Sequence, residues 1–330
     1  MKKYLFLMFI SLGIFTMIGC SKYGEKDIVN DLNKKIEKTN GYYLNGELQI
    51  INNEDSYLYD VEVAYAKEDN FRVSLKNKTN NHEQIILKNN DGVYVLTPSL
   101  NKSFKFQSDW PYNNSQSYIL QTLLKDIKSD EQRTFEQVDD GYIFNVKVNY
   151  TSNNNLAKQK IKLDKDLNIK EVLVLNANDE LQMKMTFNSI DYKATYDDTY
   201  FTLKGNMGSV ETNQTSNEIN SVIYPMYIPE NTQLSNQERV TTENGERIIL
   251  TFKGENPFMV IQETASVTEE LLTIPIYGEP YIVTGTVGAL SDSSVSWVNN
   301  GVEFYVVSDN LTQEQLLEVA NSINTMTVSK

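Results

Sequence analysis

Between Tyr43 and Phe187 apolar side chains recur at every second position, in short runs separated by connectors rich in Asn, Asp and Gly. Leu44, Gly46, Leu48 and Ile50 share one face, and Tyr57, Tyr59, Val61, Val63 and Tyr65 share the next. The same period continues through Phe71, Val73 and Leu75, through Ile85 with Leu87, Val93 with Val95, and Phe104 with Phe106. A period of two puts alternate side chains on opposite sides of a strand, so it predicts strands with one buried face. The connectors Asn52–Asp55, Lys67–Asn70, Asn77–Asn81 and Asn89–Gly92 are short and tolerate turn dihedrals, which makes the strands an antiparallel meander.

Such a sheet needs cover on one side. Two stretches change to helical spacing and can supply it: Asp27–Thr39, with Ile28, Val29, Leu32 and Ile36 on one face, and Ser115–Ile127, with Ile119, Leu120, Leu123, Leu124 and Ile127. Trp110-Pro111 separates the second helix from the strands before it, and alternation resumes at Tyr142, Phe144, Val146, Val148 and Tyr150. Further strands follow at Ile161–Leu163, Val172–Leu175 and Met183–Phe187. The expected architecture of residues 27–205 is therefore α+β, one large curved antiparallel sheet over two helices. From 206 to 221 the chain loses apolar periodicity and reads as a linker. Residues 222–330 form a smaller α+β unit, with strands at Ile248–Phe252, Phe258–Gln262, Tyr281–Val287, Val295–Val298 and Val302–Val307. A closing helix carries Leu316, Val319, Ala320 and Ile323 on one face, with Thr312 and Gln315 spaced as a capping box.

The N-terminus carries a different signal. Lys2 and Lys3 precede an apolar run from Tyr4 to Ile18, too short for a comfortable membrane span and the right size for a secretory signal. The run ends at Met17-Ile18-Gly19-Cys20, which resembles a bacterial lipobox, and Cys20 is the only cysteine in 330 residues. Residues 1–19 thus read as a lipoprotein signal peptide and 20–26 as a tether whose Cys20 is lipidated. Each buried acyl CH₂ contributes about 0.8 kcal/mol, so two or three chains would hold the protein on the extracytoplasmic face of the cell membrane.

Much chemistry is excluded by counting. One Cys rules out an intramolecular disulfide and a cysteine-rich zinc site, and one His, His82, rules out a two-histidine metal site. No nucleophile elbow, phosphate loop or HExxH motif occurs, and no cofactor motif is present. His82 reads as a solvated imidazole in the turn Asn80–Glu83. Asp164-Lys165-Asp166-Leu167-Asn168 starts like a calcium loop, but Ile169 stands where that loop needs Gly, so a hairpin turn is expected. A formal net charge of -14 repels phosphate backbones and argues against nucleic acid.

The order of helix, strands, Phe71-Arg72-Val73, Asp91–Pro98, helix and further strands resembles the LolA and LolB lipoprotein carriers. The run from Lys102-Ser103-Phe104-Lys105-Phe106 through Trp110-Pro111 to Ser117–Leu120 is more similar to sporulation and germination lipoproteins of spore-forming Firmicutes, the YdcC and GerS type. Gly285–Leu290, Trp297, Gly301–Tyr305 and Leu311–Ile323 resemble a small domain fused C-terminally in such proteins. The resemblance implies a LolA-like half-barrel and a non-enzymatic, membrane-tethered protein that binds or positions a cell-envelope enzyme, with an N-acetylmuramoyl-L-alanine amidase as the kind of partner. The alternative it leaves open is a carrier of acyl chains or lipoproteins in the concavity of the sheet. A continuous apolar void would favour the carrier, and a filled interior the contact protein. Trp110, Tyr112 and Tyr118 are the candidate contact residues, either plugging the sheet's end or anchoring a partner, and free strand edges leave homodimerisation open.

Overall fold

The computed structural model describes residues 23–52, 55–150, 155–207, 219, 221–242, 245–265 and 271–323. The signal peptide, Cys20 and most of the expected linker lie outside the described residues. Helix α1 spans Glu25–Glu37, with Asp27 accepting from the Gly24 N–H at its start and Lys34 and Lys35 in its last turn, where they suit the helix dipole. Ile28, Leu32 and Ile36 form its buried stripe.

Six strands then meander: β1 Gly41–Asn52, β2 Asp55–Ala66, β3 Asn70–Asn77, β4 Glu83–Asn89, β5 Gly92–Thr97 and β6 Lys102–Phe106. Helix α2 (Leu120–Ser129) follows, and then five more strands: β7 Thr134–Val138, β8 Gly141–Lys147, β9 Leu156–Asp164, β10 Ile169–Asn176 and β11 Leu181–Asp191. The two meanders are joined where β1 pairs antiparallel with β11. A bulge at Asn45/Gly46 interrupts that pairing, and Gly46 is required there because a Cβ would stand 2.2 Å from the Thr186 carbonyl oxygen.

The alternation has the expected outcome. Tyr42, Leu44, Leu48 and Ile50 of β1 join the α1 stripe and Ile119, Leu120, Leu123 and Ile127 in one core. Helix α2 begins five residues later than its apolar spacing suggests. Ser115 and Asn149 exchange hydrogen bonds (Ser115 N–H to the Asn149 carbonyl, and Asn149 N–H to Ser115 Oγ, both 2.8 Å), which ties residues 115–118 to the end of β8 as a loop.

β4 and β5 are buried on both faces. Their outward residues Ile85, Leu87, Tyr94 and Leu96 are covered by Phe201, Leu203 and Met207. The segment carrying them, which includes the short helix α3 (Leu203–Asn206), crosses the convex side of the sheet. Asn89 Nδ2 donates to the Phe201 carbonyl at 2.9 Å, and Arg72 Nε donates to Asn206 Oδ1 at 2.6 Å. The start of the expected linker is thus pinned to the first sheet, and Ile219, Val222 and Ile223 at its other end pack on the second core.

The remaining strands are β12 Thr232–Thr242, β13 Gly245–Gly254, β14 Phe258–Thr264, β15 Leu272–Ile276, β16 Glu279–Val283, β17 Thr286–Leu290, β18 Ser294–Asn299 and β19 Val302–Val307, closed by helix α4 (Gln313–Asn321). Seven of them form an antiparallel sheet in the order β12-β13-β14-β19-β18-β17-β16. Thr312 and Gln315 make the expected capping box, and Leu316, Val319 and Ala320 pack on Phe304, Val306 and Trp297.

β15 does not belong to this sheet. It pairs parallel with β6, placing Ile274 opposite Phe104, and completes a 12-stranded first sheet ordered β15-β6-β5-β4-β3-β2-β1-β11-β10-β9-β8-β7. The C-terminal stretch therefore returns one strand to the N-terminal unit. The expected single strand Tyr281–Val287 is instead a hairpin, β16 and β17, turning at Thr284-Gly285 with both residues at positive φ.

Candidate functional site

The β16–β17 hairpin and α4 stand over one end of the concave sheet. Val287 and Ala289 belong to the first sheet's core, with Ile276 and Ile282 packed against it. Polar contacts fix the hairpin and its neighbours there. Gln84, 4 % exposed, donates through Nε2 to the Val287 carbonyl at 2.8 Å, and its Oε1 accepts from Thr286 Oγ1 at 2.6 Å. Asn114 Nδ2 donates to Glu279 Oε2 at 2.8 Å, and Ser103 Oγ meets Thr273 Oγ1 at 2.7 Å. Lys102 of β6 and Glu303 of β19 form an ion pair with side chains 6 % and 12 % exposed.

Under the hairpin is a cavity of about 380 Å³. The first sheet gives it an apolar side of Leu48, Ile50, Ile86, Leu156 and Met183. The second unit contributes Pro280–Ile282, Thr284, Gly285 and Val287, with Glu314, Leu317, Glu318, Asn321 and Ser322 from α4 and the residue after it. Tyr57, Tyr118, Tyr150, Tyr227 and Tyr281 surround it. The hairpin tip fits closely, since a Cβ on Gly285 would lie 2.4 Å from Tyr57 Cδ1. Behind Tyr150 lies Asp126 of α2, buried, accepting from Gln159 Nε2 at 2.6 Å and hydrogen-bonded to Ser115. Desolvation outweighs those bonds and pushes its carboxyl up to about 6.

The three candidate contact residues fall in different environments. Trp110 is 1 % exposed, with its ring edge-on to Phe71 at 6.0 Å, and continues an aromatic series with Tyr65 and Tyr42 inside the core. Its ring is a plug, and no surface contact is open to it in this conformation. Tyr112 is half-buried on the same Phe71; its hydroxyl donates to Asp69 at 2.9 Å and Lys88 Nζ lies 5.1 Å from its ring centre. Tyr118, 5 % exposed, lines the cavity.

His82 departs from expectation. It is half-buried, its Nε2 has no hydrogen-bond partner among the described residues, and desolvation lowers its pKa, because the ring is turned in beside β4 instead of standing in water. Asp164–Asn168 is the hairpin turn between β9 and β10. Asn168 N–H donates to Asp164 Oδ1 at 2.8 Å, and Lys35 Nζ occupies the Asp166 carbonyl and Asn168 Oδ1 at 2.7 and 2.6 Å. Among the described residues no His, Cys, Asp and Glu group is disposed to hold a metal ion, and no helix is long and apolar enough to cross a membrane. Sequence reasoning missed Gln84, Thr284 and Glu314. Only the Thr284-Gly285 pair left a trace, as a turn dipeptide inside an apparent strand.

No family model matches the chain. It is 34 % identical over 327 residues to the sporulation protein YdcC of Bacillus subtilis strain 168, covering 98 % of this chain and 97 % of that one. The chain belongs to the YdcC family of sporulation proteins. Its fold is the α+β arrangement that the strand pattern implies, a large sheet over two helices with a smaller α+β unit. Among solved structures, the GerS lipoprotein in complex with the CwlD amidase of Clostridioides difficile is similar with a TM-score of 0.31 at 15 % identity, over 53 % of this chain and 96 % of that one. The MucA/MucB complex of Pseudomonas aeruginosa gives 0.32 at 13 %, over 89 % and 98 %, and a LolA-superfamily protein of Nitrosomonas europaea 0.32 at 10 %, over 54 % and 97 %.

Proposed function

We propose that this YdcC-family protein is a non-enzymatic lipoprotein, anchored through Cys20 on the extracytoplasmic face of the membrane, that positions a cell-envelope enzyme in sporulation or germination. The observation that carries this reading is the occupied inner face of the first sheet. Apart from the end under the β16–β17 hairpin, that face is covered by α1, α2, Trp110 and the Tyr42–Phe71 aromatic series, which favours surfaces and edges for contact with a partner. The edge strands of that sheet are β15 and β7, each paired on one side only among the described residues, and β15 carries Pro275, which has no N–H to offer a further strand. Arg133, just before β7, donates to Glu25 at the start of α1 at 2.7 Å, so the β7 edge lies beside the helix that follows the proposed tether in the chain. A tether raises the effective concentration of any membrane-proximal partner there, and an open edge accepts a partner's strand. The kind of partner, an N-acetylmuramoyl-L-alanine amidase, comes from the resemblance to GerS-type lipoproteins. A second reading, the acyl-chain carrier, is favoured by the cavity under the β16–β17 hairpin, but its acidic rim suits a fatty-acid head poorly.

The test is photocrosslinking in sporulating cells from Glu136 on β7 and from Gln237 on β12. A peptidoglycan-processing enzyme captured from Glu136 and not from Gln237 supports the reading. Capture of no envelope enzyme from Glu136, or muropeptide release by the homogeneous purified chain alone, overturns it.

A further inference from the structure

The cavity under the hairpin has the features of a built ligand site, independent of the edge contact. Its 380 Å³ falls within the range of small-molecule pockets. Thr284, at the hairpin tip, lines it, is 5 % exposed, and has no hydrogen-bond partner for Oγ1 among the described residues. Leaving a buried hydroxyl unpaired is unfavourable, and a turn of the side chain about χ1 would let a ligand atom in the cavity satisfy it. The same residue is held at φ 44°, a conformation that β-branched side chains rarely adopt, and its backbone is fixed by Asn321 Oδ1 on its N–H and Asn299 Nδ2 on its carbonyl. The turn that carries the hydroxyl is thereby fixed.

Charge decides the class of ligand. Glu314 and Glu318 are the only charged side chains among the described residues of the lining; Lys, Arg and His are absent from it. A carboxylate or phosphate head would enter beside two like charges with no counter-charge, whereas an ammonium would be attracted. Five tyrosines line the void, a residue type whose ring face attracts a cation. The wall from the first sheet accepts an apolar body. We propose that this cavity binds a small molecule consisting of an apolar group bearing an ammonium, the apolar part lying on Leu48, Ile86 and Met183, the ammonium reaching Glu314, and Thr284 Oγ1 hydrogen-bonded to the ligand. A free aliphatic amine and the amino end of an apolar peptide share this chemistry.

The experiment is calorimetric titration of the full chain in nanodiscs, against empty nanodiscs, with hexylamine, hexanol, hexanoate, leucyl-leucinamide and its N-acetylated form. Hexylamine or leucyl-leucinamide should bind at least about tenfold more tightly than the neutral or anionic partner of the same skeleton, and the tighter of the two names the source. Thr284→Val should weaken binding about fivefold, the equivalent of one neutral hydrogen bond. Glu314→Gln with Glu318→Gln, both at the rim and harmless to the core, should remove the preference of amine over alcohol. Equal binding of hexanoate and hexylamine, no binding of either amine, or amine binding unmoved by both sets of substitutions overturns the proposal.

Discussion

Lys102→Met tests how the two units are held together. Lys102 and Glu303 bridge β6 and β19 with side chains 6 % and 12 % exposed, and Tyr305 OH donates to the second carboxylate oxygen of Glu303 at 2.8 Å. Removing the ammonium leaves a buried carboxylate without its counter-charge, and single deletions of this kind cost about 3–5 kcal/mol. With about 2 cal/mol/K of unfolding entropy per residue, a loss of about 4 kcal/mol lowers the melting temperature of a 330-residue chain by about 6 °C if it melts as one body. Removing both charges together, Lys102→Met with Glu303→Leu, restores stability to within about 1–2 kcal/mol of wild type, because well-packed apolar replacements of a buried pair are near neutral. Urea unfolding followed by tryptophan fluorescence reads both effects, since Trp110 and Trp297 report on different sheets. The reasoning fails if Lys102→Met shifts stability by less than about 1 kcal/mol, or if the double variant loses as much as the single one.

Asp126→Asn is expected to stabilise the chain at pH 7 and to flatten its pH dependence. The folded carboxyl titrates near 6 against about 3.9 when unfolded, so the folded state binds the extra proton between these values and wild-type stability falls as pH rises from about 4 to about 6; unchanged slopes in pH-dependent urea midpoints would refute the assignment. Gln159 Oε1, unpartnered among the described residues, can turn to accept from the new amide. Trp110→Ala should cost about 3–5 kcal/mol as a core truncation, whereas Tyr112→Ala should leave melting within a few degrees and reduce partner capture if this connector makes contact. Cys20→Ala should release the protein from membranes or leave residues 1–19 attached, as read by fractionation and intact mass.

The first sheet was legible because β1, β2 and β3 each bury one face and therefore alternate strictly. β4 and β5 carried a further signal in Ile85-Ile86-Leu87 and Val93-Tyr94-Val95-Leu96, near-continuous apolar runs that mark burial on both faces; their cover, Phe201 and Leu203, lies more than a hundred residues away and leaves no local trace. β12 is exposed on nearly its whole length, so polar residues fill both faces and alternation is lost. β15 carries Pro275, which counts against a strand by local rules. It is tolerated because β15 lies at the sheet's edge, and its parallel pairing with β6 is set by where the second unit docks. Helix α4 was legible from its capping box together with the apolar face of Leu316, Val319 and Ala320. The cavity belongs to neither unit's pattern, because its lining is split between Leu48, Ile86 and Met183 of the first unit and Thr284 and Glu314 of the second, which come together only across the junction.

That junction also bounds what a cavity ligand can do energetically. A ligand that binds only the docked arrangement stabilises it by RT ln(1 + [L]/Kd), about 2.7 kcal/mol at a hundredfold excess over Kd. The loss expected from Lys102→Met is about 3–5 kcal/mol, so saturating amine should recover a large part of the variant's stability and fall short of wild type. Complete recovery at that excess would mean that the ion pair contributes less than its burial implies. No recovery, with binding to wild type intact, would mean that the variant no longer forms the cavity once the pair is broken. The Gln84–Thr286 and Gln84–Val287 hydrogen bonds would then be insufficient by themselves to hold the hairpin over the first sheet.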